Sequence, residues 1–306
     1  MLNARILRPR QIKGRRARSQ LESGGLKLLA KGDSWFSTGS FPVCNMLQQM
    51  QFSRSACILN LAIPGDTVAA MSERIDHRGD HFSFQIGAPD APRWDAILMS
   101  AGGNDLIEAL PDLVRNRIIS QRASDYVDPV ALHALEQRII AGYSRIVSFR
   151  DRAGSPNRGV PIFAHTYDYV VPSRAPARIY DLVPVDGPWL SPRMSDVPPQ
   201  VWPALSKYLI DRVARTLQAL QSTLPNFVVI DTRGILHCVG SETTGRSGDW
   251  QNEIHPSQAG YRKLAPLFAG AVDRHLRDKA GVTGSGLASS ESEPCTSIDP
   301  TLVAAA

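Results

Sequence analysis

The sequence predicts an α/β fold in which a parallel β-sheet is covered by helices on both faces. Short, almost continuously apolar runs alternate along the chain with segments of helical periodicity, as expected for buried parallel strands joined by helices. Of the 306 residues, 43% are hydrophobic and 21% are charged, which is typical of a globular protein with a sizeable core. These proportions exclude a disordered chain, a collagen and a coiled coil.

Five apolar runs predict the strands of this sheet, each bounded by Gly, Pro or polar residues. The strands are predicted at residues 26–31, 56–62, 94–101, 160–165 and 226–231. Helices are predicted between and after them, at residues 43–51, 67–76, 129–150, 203–223 and 257–277. In the 129–150 segment, Leu132, Leu135, Ile139, Tyr143 and Ile146 share one face.

The two ends of the chain differ from the body in composition. Residues 1–31 hold nine of the 34 lysines and arginines but one of the 29 acids. We therefore predict a basic, flexible arm at residues 1–24, a single domain at 25–280 and a disordered tail at 281–306. The arm could contact an anionic surface, whereas the slightly acidic body makes nucleic acid an unexpected partner.

The N-terminus lacks the apolar core of a secretory signal, and no apolar stretch is long enough for a membrane-spanning helix. We therefore expect a cytoplasmic protein. The four cysteines, Cys44, Cys57, Cys238 and Cys295, form no CxxC pair, so no zinc or redox motif is present and reduced thiols are expected. No metal or cofactor is expected either.

Residues 166–202 interrupt the alternation of strands and helices. This segment is rich in proline and aromatic residues, including Tyr167, Tyr169 and Trp189. Long loops in compact domains are usually functional or disordered, and the aromatic content argues against disorder. We interpret the segment as a lid or pocket wall; the alternative is a packed surface excursion.

Three polar clusters follow the first three predicted strands, and parallel sheets bind ligands at that edge. They are Gly32-Asp33-Ser34-Trp35, residues 64–67 (PGDT) and residues 102–105 (GGND). A serine in such a turn can project its hydroxyl from the sheet, and the Asn104 amide can donate to a developing oxyanion. Taken singly, each cluster is equally typical of a turn or a helix cap.

A fourth cluster, residues 250–256 (WQNEIHP), precedes the last predicted helix and supplies His255. Histidine is the natural general base near neutral pH, although a lone histidine is more often structural. His165 ends the fourth predicted strand and could line the same crevice, but no role is assigned to it. Together the four clusters place a nucleophile, oxyanion donors and a base at one edge of the sheet.

At these residues the chain resembles the SGNH (GDSL-type) hydrolase family, from about Leu26 to Leu276. The resemblance implies a three-layer α/β/α sandwich around a mostly five-stranded parallel sheet of flavodoxin-like order. It further implies that Ser34 is the nucleophile and His255 the base. The oxyanion hole would then comprise the backbone N–H groups of Ser34 and Gly65 and the side chain of Asn104.

One position departs from the family's pattern, in which an aspartate precedes the histidine by three residues. Here that residue is Asn252, which can accept a hydrogen bond from the imidazole but carries no charge. Three interpretations remain open. Asn252 orients His255, another carboxylate such as that of Asp249 replaces it, or the site is weak or inactive.

The sequence thus favours a serine esterase that forms an acyl-enzyme on Ser34. The alternative is a weak or inactive acyl- or glycan-binding protein on the same scaffold. Candidate substrate-binding residues are Asp33, Trp35, Tyr167, Tyr169 and Trp189. The substrate is expected to be a small-molecule ester: a short-chain acyl ester, an acetylated carbohydrate or a lipid.

Overall fold

A computed structural model describes residues 1–9, 25–37, 44–77, 79–115, 120–179, 183–237 and 240–285. The strands are β1 (Leu2–Asn3), β2 (Arg5–Leu7), β3 (Leu26–Gly32), β4 (Gln51–Phe52), β5 (Ala56–Asn60), β6 (Ala96–Ser100), β7 (Ile162–His165), β8 (Ala177–Ile179), β9 (Val183–Asp186) and β10 (Phe227–Ile230). The α-helices are α1 (Met46–Gln49), α2 (Val68–Arg74), α3 (His81–Gly87), α4 (Gly103–Leu113), α5 (Pro129–Arg150), α6 (Trp202–Thr223) and α7 (Gln258–Ser285).

The central sheet has six parallel strands in the order β10-β7-β6-β3-β5-β2. Every residue of β5, β6 and β7 is buried, which explains why these strands are apolar without alternation. Helices α2, α4, α5 and α6 pack in one connected group, and α7 packs with α1 and β4. The predicted α/β fold and its flavodoxin-like order of five strands are confirmed.

The sixth strand lies in the segment predicted to be a flexible arm, so that prediction is wrong for residues 2–7. Strand β2 pairs with β5 from Arg5 opposite Cys57 to Leu7 opposite Leu59. The edge position accommodates the exposed Arg5, because charged side chains are common on edge strands, while the Leu7 side chain is buried. The rest of the predicted arm, residues 10–24, lies outside the described residues, and contact with an anionic surface stays a prediction.

Helix ends follow local capping signals. Asp128 begins α5 by accepting hydrogen bonds from the backbone N–H groups of Val130 and Ala131. At the other end of the domain α7 runs to Ser285, so the predicted tail boundary at residue 281 is wrong. The glycines near this end weaken a helix without blocking it, and proline is absent until Pro294. Residues 286–306 lie outside the described residues.

The segment at residues 166–202, which interrupts the alternation of strands and helices, is not a structureless loop. It contains the antiparallel pair β8–β9 and two single turns of 3₁₀ helix, Ser191–Met194 and Pro199–Val201. Within the described part of the chain, no helix is long and apolar enough to cross a membrane, and no cluster of three or more His, Cys, Asp or Glu could hold a metal ion. Cys44 and Cys57 are free and buried, whereas Cys238 and Cys295 lie outside the described residues.

Candidate active site

Ser34 lies in a tight turn directly after β3. Gly32 approaches strand β6 so closely that a Cβ atom there would be 2.6 Å from the Ser100 carbonyl oxygen. The turn is closed by hydrogen bonds from the backbone N–H groups of Phe36 and Ser37 to the Asp33 carbonyl. This geometry presents the Ser34 hydroxyl at the carboxyl end of the sheet, as expected for a ligand site in such a fold.

The His255 imidazole contacts Ser34 directly: Nε2 of His255 lies 2.8 Å from Oγ of Ser34. The loop that carries His255 precedes α7 and is tied to the serine turn, because the indole N–H of Trp35 donates to the Ile254 carbonyl at 3.1 Å. Both members of the pair are buried. Burial lowers the pKa of His255 from 6.5 to about 4, so the ring is a neutral base at pH 7.

Asn252 fixes the tautomer of that base. Its Oδ1 atom lies 3.0 Å from Nδ1 of His255 and also accepts the backbone N–H groups of His255 and Ile254. Because the two backbone groups can only donate, the amide oxygen, not the NH2 group, must face them. The proton on the ring therefore lies on Nδ1, and the lone pair of Nε2 faces the Ser34 hydroxyl.

The alternative acid, Asp249, does not contact His255. Its Oδ2 atom accepts the His237 backbone N–H at 2.7 Å and the Lys263 ammonium at 2.6 Å. Among the described residues, the acceptor for Nδ1 of His255 is Asn252 alone. The interpretation in which Asp249 replaces the missing carboxylate is therefore wrong, because this side chain serves a structural ion pair with α7.

Asn104 stands at the start of α4 and is held against the second cluster. Its Nδ2 atom donates to the Asp66 carbonyl at 3.1 Å, which leaves the other amide hydrogen free. Asp105 strengthens the connection by accepting the backbone N–H groups of Val68 and Ala69 at the start of α2. Two of the predicted clusters are thereby joined into one unit.

The two predicted backbone donors of the oxyanion hole are unoccupied by the protein itself. Within the described residues, neither the Ser34 N–H nor the Gly65 N–H donates to a protein acceptor. Gly65 has φ +80°, a conformation that favours glycine, and open space lies where a Cβ atom would project. It directly precedes Asp66, whose carbonyl holds the Asn104 amide.

A small cavity of about 40 Å³ opens beside Ser34. Ser34, Asn104 and three predicted substrate-binding residues, Asp33, Trp35 and Tyr167, line it. The fourth, Trp189, packs its ring edge-to-face on His255 with 5.2 Å between the ring centroids.

Tyr169, the fifth predicted substrate-binding residue, is not brought to the site. Its hydroxyl donates to Asp211 at 2.7 Å, and the Lys207 ammonium lies over its ring. Its assignment to substrate binding is therefore wrong, because these contacts fix the ring against α6.

The comparison with known families agrees with this geometry. Residues 32–263 match the model of the GDSL-like lipase/acylhydrolase family, which is most of the chain. The chain belongs to this family. None of the curated proteins matches the sequence significantly.

Solved structures of GDSL enzymes and related hydrolases resemble the fold at low sequence identity. A lipase from a goat rumen metagenome is 15% identical, with a TM-score of 0.48 over 80% of this chain and 97% of that one. An acetyl-xylooligosaccharide esterase from Geobacillus is 16% identical, with a TM-score of 0.44 over 81% and 94%. Phospholipase A1 from Streptomyces albidoflavus is 13% identical, with a TM-score of 0.44 over 81% and 99%.

Beneath Ser34 lies a second polar network, which the sequence analysis did not identify. Nε2 of His165 is 2.9 Å from Oγ of Ser100, which donates to Oδ1 of Asp33 at 2.8 Å. The Tyr167 hydroxyl donates to the other oxygen of Asp33. Burial raises the pKa of Asp33 to about 6 and lowers that of His165 to about 3.

Glu253 is the second feature that sequence reasoning missed. Its buried carboxylate accepts four backbone N–H groups, those of Ser173, Trp189, Leu190 and Ser191. All four belong to the inserted segment 166–202. Since Glu253 lies two residues before His255, the loop that carries His255 also anchors the segment that contains Trp189.

Proposed function

We propose that the protein hydrolyses carboxylic esters through an acyl-enzyme on Ser34. The observation that carries this proposal is the line of contacts from Asn252 Oδ1 through His255 to Ser34 Oγ. Membership of the GDSL-like lipase/acylhydrolase family supports the same class of reaction.

In the first half-reaction, Nε2 of His255 accepts the Ser34 proton as Oγ bonds to the ester carbonyl carbon. The negative charge that develops on the carbonyl oxygen is met by the N–H groups of Ser34 and Gly65 and by the Asn104 amide. The C–O bond to the alcohol then breaks, and the proton held by His255 passes to the departing alkoxide.

In the second half-reaction, water attacks the acyl carbon while His255 accepts its proton. The bond to Ser34 Oγ breaks, the proton returns to Oγ, and the carboxylic acid leaves. Asn252 keeps Nδ1 protonated in both halves but, being neutral, offers the imidazolium a dipole where other family members offer a charge.

The neutral Asn252 is also the observation that favours a second candidate, a binding protein that retains the acyl site without turnover. Binding of an ester without covalent chemistry at Ser34 would distinguish this candidate from the esterase.

The test is turnover of p-nitrophenyl esters from acetyl to long acyl chains by the wild type, Ser34→Ala and Ser37→Ala. Ser37 lies in the same turn and bonds to the Asp33 carbonyl, so it is the matched control. We expect Ser34→Ala to lose on the order of 10⁶ in kcat, as when the nucleophile of a serine protease is removed, and Ser37→Ala to retain most of its turnover. No turnover by folded wild type, with no labelling of Ser34 by a serine-reactive phosphonate, would overturn the proposal.

A further inference from the structure

We propose that the two halves of the ester meet two unlike subsites, a small apolar cavity for a short acyl group and the Trp189 ring for a bulky cyclic alcohol. The inference rests on the proposed ester hydrolysis and names its substrate class. It follows from the size of the cavity, from what lines it, and from the position of Trp189 relative to the base.

The cavity beside Ser34 is small and apolar. Its walls come from α4 (Leu106, Ile107), α6 (Ile210), the inserted segment (Val170, Leu190) and Ile254 of the base's loop. A single water molecule needs a cavity of about 10–15 Å³. The cavity of about 40 Å³ therefore holds roughly three groups of that size. Such room suits an acyl chain of about two to four carbons.

The two carboxylates in the cavity wall do not make it polar, because each is saturated by donors. Both oxygens of Asp168 accept backbone N–H groups, from Tyr169 and Gly234 and from Ile235 and Leu236. Those of Asp33 accept the Trp35 N–H and the hydroxyls of Ser100 and Tyr167. An acyl chain in the cavity therefore meets apolar surface.

Tyr167 sets the depth of the cavity. Its backbone has φ +62°, an uncommon conformation for a residue other than glycine. The ring lies against Gly103, where a Cβ atom would be 2.9 Å from it, and the hydroxyl bonds to Asp33. With both its ring and its hydroxyl fixed, Tyr167 cannot move aside for a longer chain.

The alcohol half must lie on the other side, because Nε2 of His255 delivers the proton to the departing oxygen. The Trp189 ring stands against His255 there, and its side chain remains partly exposed. Glu253 holds the backbone of Trp189 and of its two successors, which fixes the ring. An indole packs well against another ring, such as that of a sugar or an aromatic alcohol.

A larger cavity of about 660 Å³ exists, but it cannot take the acyl chain of an ester bound at Ser34. Its lining includes Leu59, His77, Phe84 and Arg152 and none of the candidate site residues. This cavity is therefore distinct from the one beside Ser34.

The acyl half of the proposal is tested with p-nitrophenyl acetate, butyrate, hexanoate and octanoate. We expect kcat/KM of the wild type to fall at least tenfold beyond four carbons. Ile107→Ala should raise the hexanoate-to-acetate ratio about 10-fold or more, the value of one or two methylenes in a pocket. Ile210→Ala is a second variant expected to widen the cavity. The hexanoate-to-acetate ratio of kcat/KM does not depend on the fraction of enzyme that is folded.

The alcohol half is tested with cyclohexylmethyl acetate and ethyl acetate, whose leaving alcohols are similarly acidic. Trp189→Ala should raise KM for the cyclic ester about tenfold more than KM for ethyl acetate. Phe84→Ala, which removes an exposed ring remote from Ser34, is the matched control.

Turnover that is equal across acyl lengths, or a Trp189→Ala effect equal on both acetates, would overturn the inference and leave ester hydrolysis standing. Absence of turnover on every ester and of phosphonate labelling would instead refute the hydrolysis on which the inference rests.

Discussion

Two serine–histidine pairs lie at the carboxyl edge of the sheet, and they differ in the tautomer of the histidine. In the Ser34–His255 pair, Nδ1 donates to Asn252, so Nε2 has a lone pair for the serine proton. In the Ser100–His165 pair, Nδ1 accepts the Tyr167 backbone N–H at 3.2 Å, so Nε2 carries the proton and donates to Ser100. Similar distances therefore support opposite chemistry.

The comparison shows that contact with a histidine does not by itself make a serine nucleophilic. The partner of the remote ring nitrogen decides whether the near one is a base. The Ser100 hydroxyl donates a hydrogen bond to Asp33 and is fully buried, whereas Ser34 borders the cavity. The Asp33 carboxylate thus contacts the serine of the pair that has no base, and neither of its oxygens bonds to a histidine ring among the described residues.

The largest effect expected from a change outside the Ser34–His255 pair is at Asn104, which we propose as the side-chain donor of the oxyanion hole. Asn104→Ala should lower kcat roughly 10²–10³-fold, the range for one lost donor in such a site. Steady-state kinetics on a short-chain ester would measure this. Asn104→Asp, which keeps the shape but loses the NH2 group, should be similarly impaired; a normal kcat in both variants would remove Asn104 from the oxyanion hole.

Asn252→Asp should replace the neutral partner of His255 by a charged one and shift the pH dependence of kcat/KM. In the wild type, kcat/KM is expected to be lost as pH falls through about 4, where His255 takes up a proton. A carboxylate beside His255 favours the imidazolium and so raises the pKa of this ring. The acidic limb of the kcat/KM profile should therefore move up by about 1–3 pH units. A pH–rate profile of both proteins measures the shift, and an unmoved limb would contradict the assignment of His255 as the base.

The surroundings of position 252 are compatible with that variant. The Nδ2 atom of Asn252, the hydroxyl of Ser247 and the indole N–H of Trp250 are buried without a partner among the described residues. All three residues line one cavity of about 20 Å³. A carboxylate oxygen in place of Nδ2 would bring an acceptor to a cavity whose unpaired groups can all donate.

The smallest effect on kcat is expected from a change in the Ser100–His165 pair. Ser100→Ala should leave kcat near the wild-type value but lower the free energy of unfolding by about 1–3 kcal/mol, because buried groups of Asp33 and His165 lose a partner. Urea denaturation together with phosphonate labelling of Ser34 would measure both. A loss of kcat as large as that of Ser34→Ala would show that the two pairs act together.

The five central strands were predictable because burial on both faces requires uninterrupted apolar runs. Strand β2 was not, since Arg5, Ile6 and Leu7 lie among basic residues and gain their order from pairing with β5. The residue types of the site were visible as four clusters, three after strands and one before the last helix. Helix α3 and the pair β8–β9 gave no comparable periodic signal.

The roles of Glu253 and His165 could not be predicted because their partners are remote in sequence. The four N–H groups on Glu253 come from residues 62 to 80 positions away, and Ser100 lies 65 positions from His165. The tautomer difference depends on the geometry at each Nδ1 atom, which no spacing of residues encodes.

The four backbone groups that converge on Glu253 have a consequence for exchanging parts between relatives. Backbone N–H groups are present in any sequence except at proline, so this anchor places almost no demand on the side chains of the segment it holds. We expect that a stretch of different composition between Ser173 and Ser191 would keep this attachment, provided that it presents donors to the same carboxylate. In the proposed esterase, such an exchange should alter substrate preference while Ser34 and His255 keep their positions, with Glu253 as the fixed point of attachment.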